Sequence, residues 1–172
     1  MYTFEFDGHQ TQVTERVFYE DLRRAAEWLE LNAERQHRSQ RQGFPDLRGK
    51  WKPTLINMDR DSTNLGPQIQ DRELRELFHL LIEQTRSFLT EVDDQFVASM
   101  AKRAGIPFPR TQRARNKLAS ELEGMLFSGI ELIDDAYREV LPKAEQALNE
   151  IRATRKRIDE KLAEHFARLD AG

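Results

Sequence analysis

The sequence predicts a mainly α-helical fold, an elongated and coiled-coil-like four-helix bundle with a short N-terminal β-hairpin. Apolar residues recur at steps of three and four along most of the 172-residue chain. The eight glycines and six prolines fall in a few clusters and leave long segments without helix breakers. Charged residues make up 33% of the chain, as expected for long helices with a thin core. We expect one helical domain spanning residues 1–172.

Residues 2–13 predict the β-hairpin. Tyr2, Phe4 and Phe6 alternate with polar residues, and Asp7-Gly8 supplies a tight turn because glycine accepts a positive φ. An isolated hairpin is marginally stable in water. Its aromatic face is therefore expected to pack on a helix, or its edge to pair with another chain.

The first helix is predicted over residues 15–36. Thr14 is its candidate N-cap, and the apolar positions that follow are Phe18, Leu22, Ala25 and Leu29. Residues 37–66 predict a long loop, since polar residues are followed by Gly43-Phe44-Pro45 without clear periodicity.

Three more helices are predicted over residues 67–104, 111–140 and 142–170. Gly66-Pro67 indicates the start of the first, and Gly105 with two later prolines indicates its end. Thr111 lies near the start of the second helix, and Pro142 predicts a break before the last.

The last helix has alternating steps of four and three, which are typical of a heptad seam. The candidate seam residues are Leu148, Ile151, Arg155, Ile158, Leu162 and Leu169. Such a stripe packs either within the chain or against a second copy. A polar residue in a seam, here Arg155, is a device that fixes register and oligomeric state, which keeps the oligomer interpretation open.

Composition excludes several classes of function. The chain has no cysteine, which rules out disulfides, thiolate zinc sites and thiol nucleophiles. The N-terminal residues show no secretory pattern, and no apolar run is long enough to cross a bilayer. We expect a cytoplasmic protein without membrane contact, cofactor, metal or evident small-molecule substrate.

Two patterns contain some, but not all, of the residues that known metal or catalytic sites need. Glu34 with His37, and Glu76 with His79, have the Glu-x-x-His spacing of di-iron bundles. The second pair lies opposite the predicted apolar face, where a solvated, ion-paired surface is expected. Arg72 and His79 resemble the arginine–histidine pair of helical HEPN-type nucleases, although Glu73 replaces the polar residue usual after the arginine. No catalytic residue is assigned.

Positive charge is concentrated in residues 35–52 and 102–117. The first segment holds six Lys/Arg against one acid, and the second holds six and no acid. Because the net charge is −3, the rest of the chain carries about −14. The candidate anion- or nucleic-acid-binding residues are Arg103, Arg110, Arg113, Lys117, Arg38, Arg41, Lys50 and Lys52.

These observations favour a non-enzymatic assembly or adaptor protein that acts through protein–protein contacts, as an oligomer or within a larger complex. The first alternative is a nucleic-acid-binding module that uses the two basic segments. The second is a helical nuclease or metalloprotein built on the Glu-x-x-His and Arg-His pairs.

Overall fold

The computed structural model of the protein describes residues 1–6, 8–41, 52–111, 113–115, 117–118 and 130–172. Two strands come first, β1 (Tyr2–Phe6) and β2 (His9–Val13), followed by five described α-helices. These are α1 (Glu15–Arg41), α2 (Lys52–Asn64), α3 (Arg72–Ser87), α4 (Asp93–Arg103) and α5 (Ile130–Ala171). The predicted mainly α fold with an N-terminal β-hairpin is confirmed, with five described helices instead of four.

The hairpin forms as predicted, and its aromatic face packs on α1. β1 and β2 are antiparallel, with Tyr2 opposite Val13, and Gly8 adopts the expected positive φ of 77°. The Tyr2 ring stacks on that of Phe18 with 4.1 Å between centroids. Phe18 is fully buried, so this contact supplies the apolar support that an isolated hairpin lacks.

A glutamine side chain occupies the outer edge of β1. The backbone N–H of Thr3 donates to Oε1 of Gln68 over 2.8 Å, and Nε2 of Gln68 donates to the Thr3 carbonyl over 2.7 Å. This pair of bonds imitates the pairing of a further strand. The β1 edge is thereby closed at Thr3 without a third strand.

Helix α1 is five residues longer than the predicted 15–36. Thr14 caps it as expected, since its Oγ1 accepts a hydrogen bond from the Val17 N–H over 3.4 Å. The polar residues after position 35 continue the helix because Gln36 and His37 are buried. Nε2 of Gln36 donates to the Leu89 carbonyl over 3.5 Å, a tertiary contact that local sequence does not reveal.

The predicted loop over 37–66 is wrong in its described part, because it contains the end of α1 and the whole of α2. Met58 is fully buried in α2 and Thr54 is nearly so, whereas Ile56 is 59% exposed. Among the described side chains of α2, Met58 is the one large apolar side chain that is buried, so the helix lacks the repeated apolar pattern of an amphipathic helix.

The predicted helix over 67–104 starts later than expected. Gly66–Gln68 forms one 3-10 turn, and α3 begins at Arg72, where Oδ1 of Asp71 accepts the Leu74 N–H over 3.1 Å. A π-helical turn, Phe88–Val92, joins α3 to α4. The cap therefore sets the start, and Pro67 belongs only to the preceding turn.

The predicted break at Pro142, between helices 111–140 and 142–170, is absent: α5 runs through it from residue 130 to 171. Val140 and Ala144 are buried on either side of this proline. Packing of these neighbours holds the helix together although proline removes one backbone hydrogen bond. In the predicted 111–140 helix, residues 113–115 and 117–118 are helical, and 119–129 lie outside the described residues.

The chain forms two compact units. Unit 1 comprises Met1–Asn32, Thr54–Thr85 and Asn149–Gly172, and unit 2 comprises Ala33–Pro53 and Arg86–Leu148. The single domain, the elongated shape and the coiled-coil character stay predictions. No helix in the described residues has the length and apolarity needed to span a membrane.

Candidate binding site: the basic surface of unit 2

A well-defined turn positions the basic residues 102–117. Gly105 has a φ of 71°, its N–H donates to the Lys102 carbonyl over 3.2 Å, and the Ile106 N–H donates to the Ala101 carbonyl over 2.8 Å. These two bonds form a Schellman motif, which ends α4 where the sequence predicted. The next helical segment starts at Thr111, whose Oγ1 accepts the Ala114 N–H over 3.3 Å.

Two of the cations in this segment are engaged within unit 2. Arg103 lies 3.2 Å from the Glu139 carboxylate, and Arg115 lies 3.2 Å from that of Asp94. Glu139 also accepts a hydrogen bond from the Ser99 hydroxyl over 2.7 Å. That bond, followed by the nearby Lys102 and Arg103 charges, lowers the pKa of Glu139. Arg103 therefore contributes less free charge than its position suggested.

The remaining cations form what we call the basic surface: Lys102, Arg110, Arg113 and Lys117. All four are exposed, and Arg110, Arg113 and Lys117 make no ion pair with the described residues. Arg110 lies just before the Thr111 cap, and Arg113 and Lys117 are four positions apart in the helical segment, the spacing of neighbours on a helix surface. Three cations that pair with no carboxylate of the described residues are thus available to an anionic partner.

One face of Phe108, the predicted stacking residue beside this surface, is covered. The Arg115 guanidinium lies 4.8 Å from the centroid of the Phe108 ring, and its Nε donates to the Pro109 carbonyl over 3.0 Å. This cation–π contact occupies one face of the ring. Phe108 is therefore a support for Arg115, and the other proposed stacking residues, Phe44 and Trp51, lie outside the described residues.

Both basic segments belong to unit 2. The sequence alone did not show whether they lie in the same part of the protein. Arg38 is exposed near the end of α1, Arg41 and Lys52 lie in helices, and Lys50 falls outside the described residues. Over the full sequence unit 2 holds fifteen Lys/Arg and twelve Asp/Glu, a net charge of +3. Unit 1 holds twelve Lys/Arg and eighteen Asp/Glu, a net charge of −6. The charge segregation seen along the sequence is a segregation between units.

The candidate seam residues lie mostly inside the chain. Leu148, Ile151, Ile158 and Leu162 are at most 2% exposed, whereas Leu169 is half-buried. Arg155 binds the carboxylates of Glu27, Glu30 and Asp159. Its place in the stripe is explained by this internal charge cluster. Burial therefore favours packing within the chain over a seam between copies.

The Glu-x-x-His and Arg-His pairs are not brought together into a site. His37 is buried, with its Nδ1 3.4 Å from the Tyr137 hydroxyl. His79 is exposed, and the exposed Arg72 pairs with Glu76 over 2.9 Å. In the part of the chain that the structure describes, no three His, Asp or Glu residues are arranged to hold a metal ion.

Sequence reasoning missed a cleft of about 590 Å³ in unit 1, which α1, α2 and β1 line. Trp28 of α1 and Asn57, Asp61 and Asn64 of α2 are among its lining residues. The three α2 residues recur at steps of four and three, which places them on one helix face. That spacing was a usable signal, but it was hidden because α2 was predicted as loop.

Comparison of the chain with protein-family models, with curated protein sequences and with solved structures finds no match.

Proposed function

We propose that the protein is a non-enzymatic α-helical assembly or adaptor protein that binds an acidic protein surface through the basic surface. One observation carries the proposal: Arg110, Arg113 and Lys117 are exposed and without ion pairs among the described residues of a chain whose net charge is −3. Two exposed arginines of unit 1, Arg72 and Arg157, instead face carboxylates of their own unit. A partner that supplies carboxylates to the basic surface gains steering and specificity.

The two apolar features that suggested assembly, the hairpin face and the heptad seam, pack mostly within the chain. The aromatic face of the hairpin packs on Phe18, and four of the six seam residues are buried. The partner surface is therefore expected to be ionic rather than apolar. Unit 1 of a second copy offers one such acidic surface, because its net charge is −6. Self-association and binding of another acidic protein are two forms of the same proposal.

Chemical cross-linking tests this proposal, because Lys102 and Lys117 of the basic surface are exposed amines. We expect an amine-reactive reagent, added to an extract of cells that express the protein, to link these lysines to a protein. The links should survive nuclease treatment and disappear in the Arg110→Glu/Arg113→Glu variant. Equal linking in that variant would contradict the proposal.

A matched control reverses two exposed arginines of unit 1. The Arg72→Glu/Arg157→Glu variant makes the same change in net charge at side chains that are 84% and 60% exposed. It should keep the cross-links. Self-association is read separately by light scattering, as a dimer at about 50 mM salt that dissociates at about 500 mM, where charges are screened beyond about 4 Å.

Nucleic acid is the second candidate, and the spacing of Arg110, Arg113 and Lys117 favours it because three free cations can follow a phosphate backbone. Contact with three phosphates predicts a slope of roughly −2 to −3 for log affinity against log salt concentration. Fluorescence anisotropy with a labelled oligonucleotide measures this slope. Unchanged affinity in the Arg110→Glu/Arg113→Glu variant would end the idea. The net charge of −3 and the covered ring of Phe108 make it second.

A further inference from the structure

The cleft in unit 1 has the size and lining of a small-molecule site. Its volume of about 590 Å³ suits a small organic ligand. Phe4, Trp28 and Leu65 supply its apolar walls, and Asn57, Asp61 and Asn64 supply polar groups from one side. Apolar walls with a few convergent polar groups are typical of ligand sites, whereas packed helices normally close such a space with side chains.

The polar groups of the cleft have free hydrogen-bonding capacity. Within the described residues, the side-chain amides of Asn57 and Asn64 and the indole N–H of Trp28 make no hydrogen bond to protein. Each is only partly exposed. A ligand that enters the cleft therefore meets donors and acceptors that need not first break bonds within the protein.

Asp61 forms the weakest ion pair of the cleft, because its partner Arg60, which also lines the cleft, lies at the limit of ion-pair distance. Its carboxylate is 24% exposed, and the nearest cation, Arg60, lies 3.9 Å away on a side chain that is 50% exposed. Arg24 and Asp21 pair with each other over 3.0 Å at the same cleft and leave no net charge. Burial raises the pKa of Asp61 despite the Arg60 charge, as expected for a carboxylate that lacks hydrogen-bond donors.

We propose that this cleft binds a small planar aromatic molecule that carries an amidinium- or amine-type group. The ring packs between Trp28 and Phe4, and the N–H donors of the charged group bind the Asp61 carboxylate. The amides of Asn57 and Asn64 bind the remaining polar edge of the ligand. An amidinium suits Asp61 because two parallel N–H donors match the two carboxylate oxygens. This inference is independent of the basic surface, which belongs to unit 2.

Nuclear magnetic resonance titration with benzamidine tests the proposal. The indole N–H of Trp28 and the side-chain amides of Asn57 and Asn64 each give a resolvable signal. We expect saturable shifts of the three cleft signals with a Kd of about 1 mM, the range for so small a probe. Benzoate, which has the same ring and the opposite charge, should not shift them.

Two variants locate the charge that matters. Asp61→Asn should weaken benzamidine binding about tenfold, because it removes a charge-assisted bond. Asp59→Asn removes the same charge from an exposed position on the same helix and should change the affinity less than twofold. Circular dichroism checks that both variants fold. The proposal is overturned if benzamidine gives no saturable shift up to about 10 mM, if benzoate binds equally, or if both variants behave alike.

Discussion

Replacement of Asp71 tests how unit 1 holds α3 to α5, because its two carboxylate oxygens have different partners. Oδ1 accepts the Leu74 N–H and caps α3, and Oδ2 lies 2.7 Å from Nε2 of His165 in α5. The Asp71 and His165 side chains are 19% and 17% exposed. The ring of Tyr19 stacks on the imidazole at 4.7 Å and limits its movement.

The expected loss of stability follows from these two interactions of Asp71. Loss of an N-cap costs about 1 kcal/mol, and a largely buried imidazole N–H without its acceptor costs about 1–3 kcal/mol. We therefore expect Asp71→Ala to lower the free energy of unfolding by about 2–4 kcal/mol. Asp71→Asn keeps Oδ1 for the cap but places an NH2 donor opposite the His165 N–H, so it should lose only the second of these two terms, about 1–3 kcal/mol.

Urea unfolding at neutral pH, followed by circular dichroism, measures both variants. Glu73→Ala is the control, since Glu73 is 55% exposed and pairs with Lys161 over 3.1 Å at the surface. Such a pair contributes about 0.5 kcal/mol. If Asp71→Ala loses no more stability than Glu73→Ala, or if Asp71→Asn is as harmful as Asp71→Ala, the assignment of two separate duties is wrong.

The pH dependence supplies a second measurement on the same residue. Burial by itself would raise the pKa of Asp71, but the hydrogen bonds from His165 and Leu74 and the charge of Lys161 lower it overall. A carboxylate with a lowered pKa in the folded state stabilises the fold above its unfolded pKa of about 4. This stabilisation disappears as the pH falls through the lower folded value. The difference between wild type and Asp71→Asn should therefore shrink in acid, and a constant difference would refute the assignment.

Four further predictions use the same unfolding assay. Asp61→Asn should stabilise the protein at pH 7, because burial raises the pKa of Asp61, and this gain should vanish as the pH falls to about 4; a loss at pH 7 would contradict it. Arg155→Met should cost about 2 kcal/mol by leaving the 19% exposed Glu30 without its cation, and a cost under about 0.5 kcal/mol would mean the cluster is screened. Gly105→Ala should cost about 1 kcal/mol because φ is 71°, so a neutral result would be incompatible with that conformation. Pro142→Ala should raise the free energy of unfolding by about 1–3 kcal/mol, because it restores a backbone hydrogen bond of the helix. No gain in stability would contradict a continuous helix through residue 142.

The features that sequence predicted correctly are those that a few neighbouring residues determine. Gly8 and Gly105 adopt positive φ, Thr14 caps the helix that follows it, and a helical segment starts near Thr111 as predicted. Each of these signals depends on the conformation of a single residue and on groups three or four positions away. Such local chemistry can be read without knowledge of the fold.

The errors occurred where distant packing decides the outcome. Helix α2 is held by the buried Met58, and α5 continues through Pro142 because side chains on both sides are buried. The basic residues were found from composition, but the pairing of Arg103 with Glu139 spans 36 positions. The cleft around Asp61 needs two helices and a strand in place before it exists. No local pattern encodes these relations.

The closure of β1 by Gln68 has a consequence for the order of events during synthesis. Thr3 and Gln68 are 65 positions apart, so at about 5–20 residues per second the ribosome delivers Gln68 roughly 3–13 s after the strand it protects. Throughout that interval the nascent hairpin has a bare backbone edge, the kind of template on which chains stick to one another. The strand edge at Thr3 can therefore reach its final hydrogen bonds only after the middle of the chain has been made.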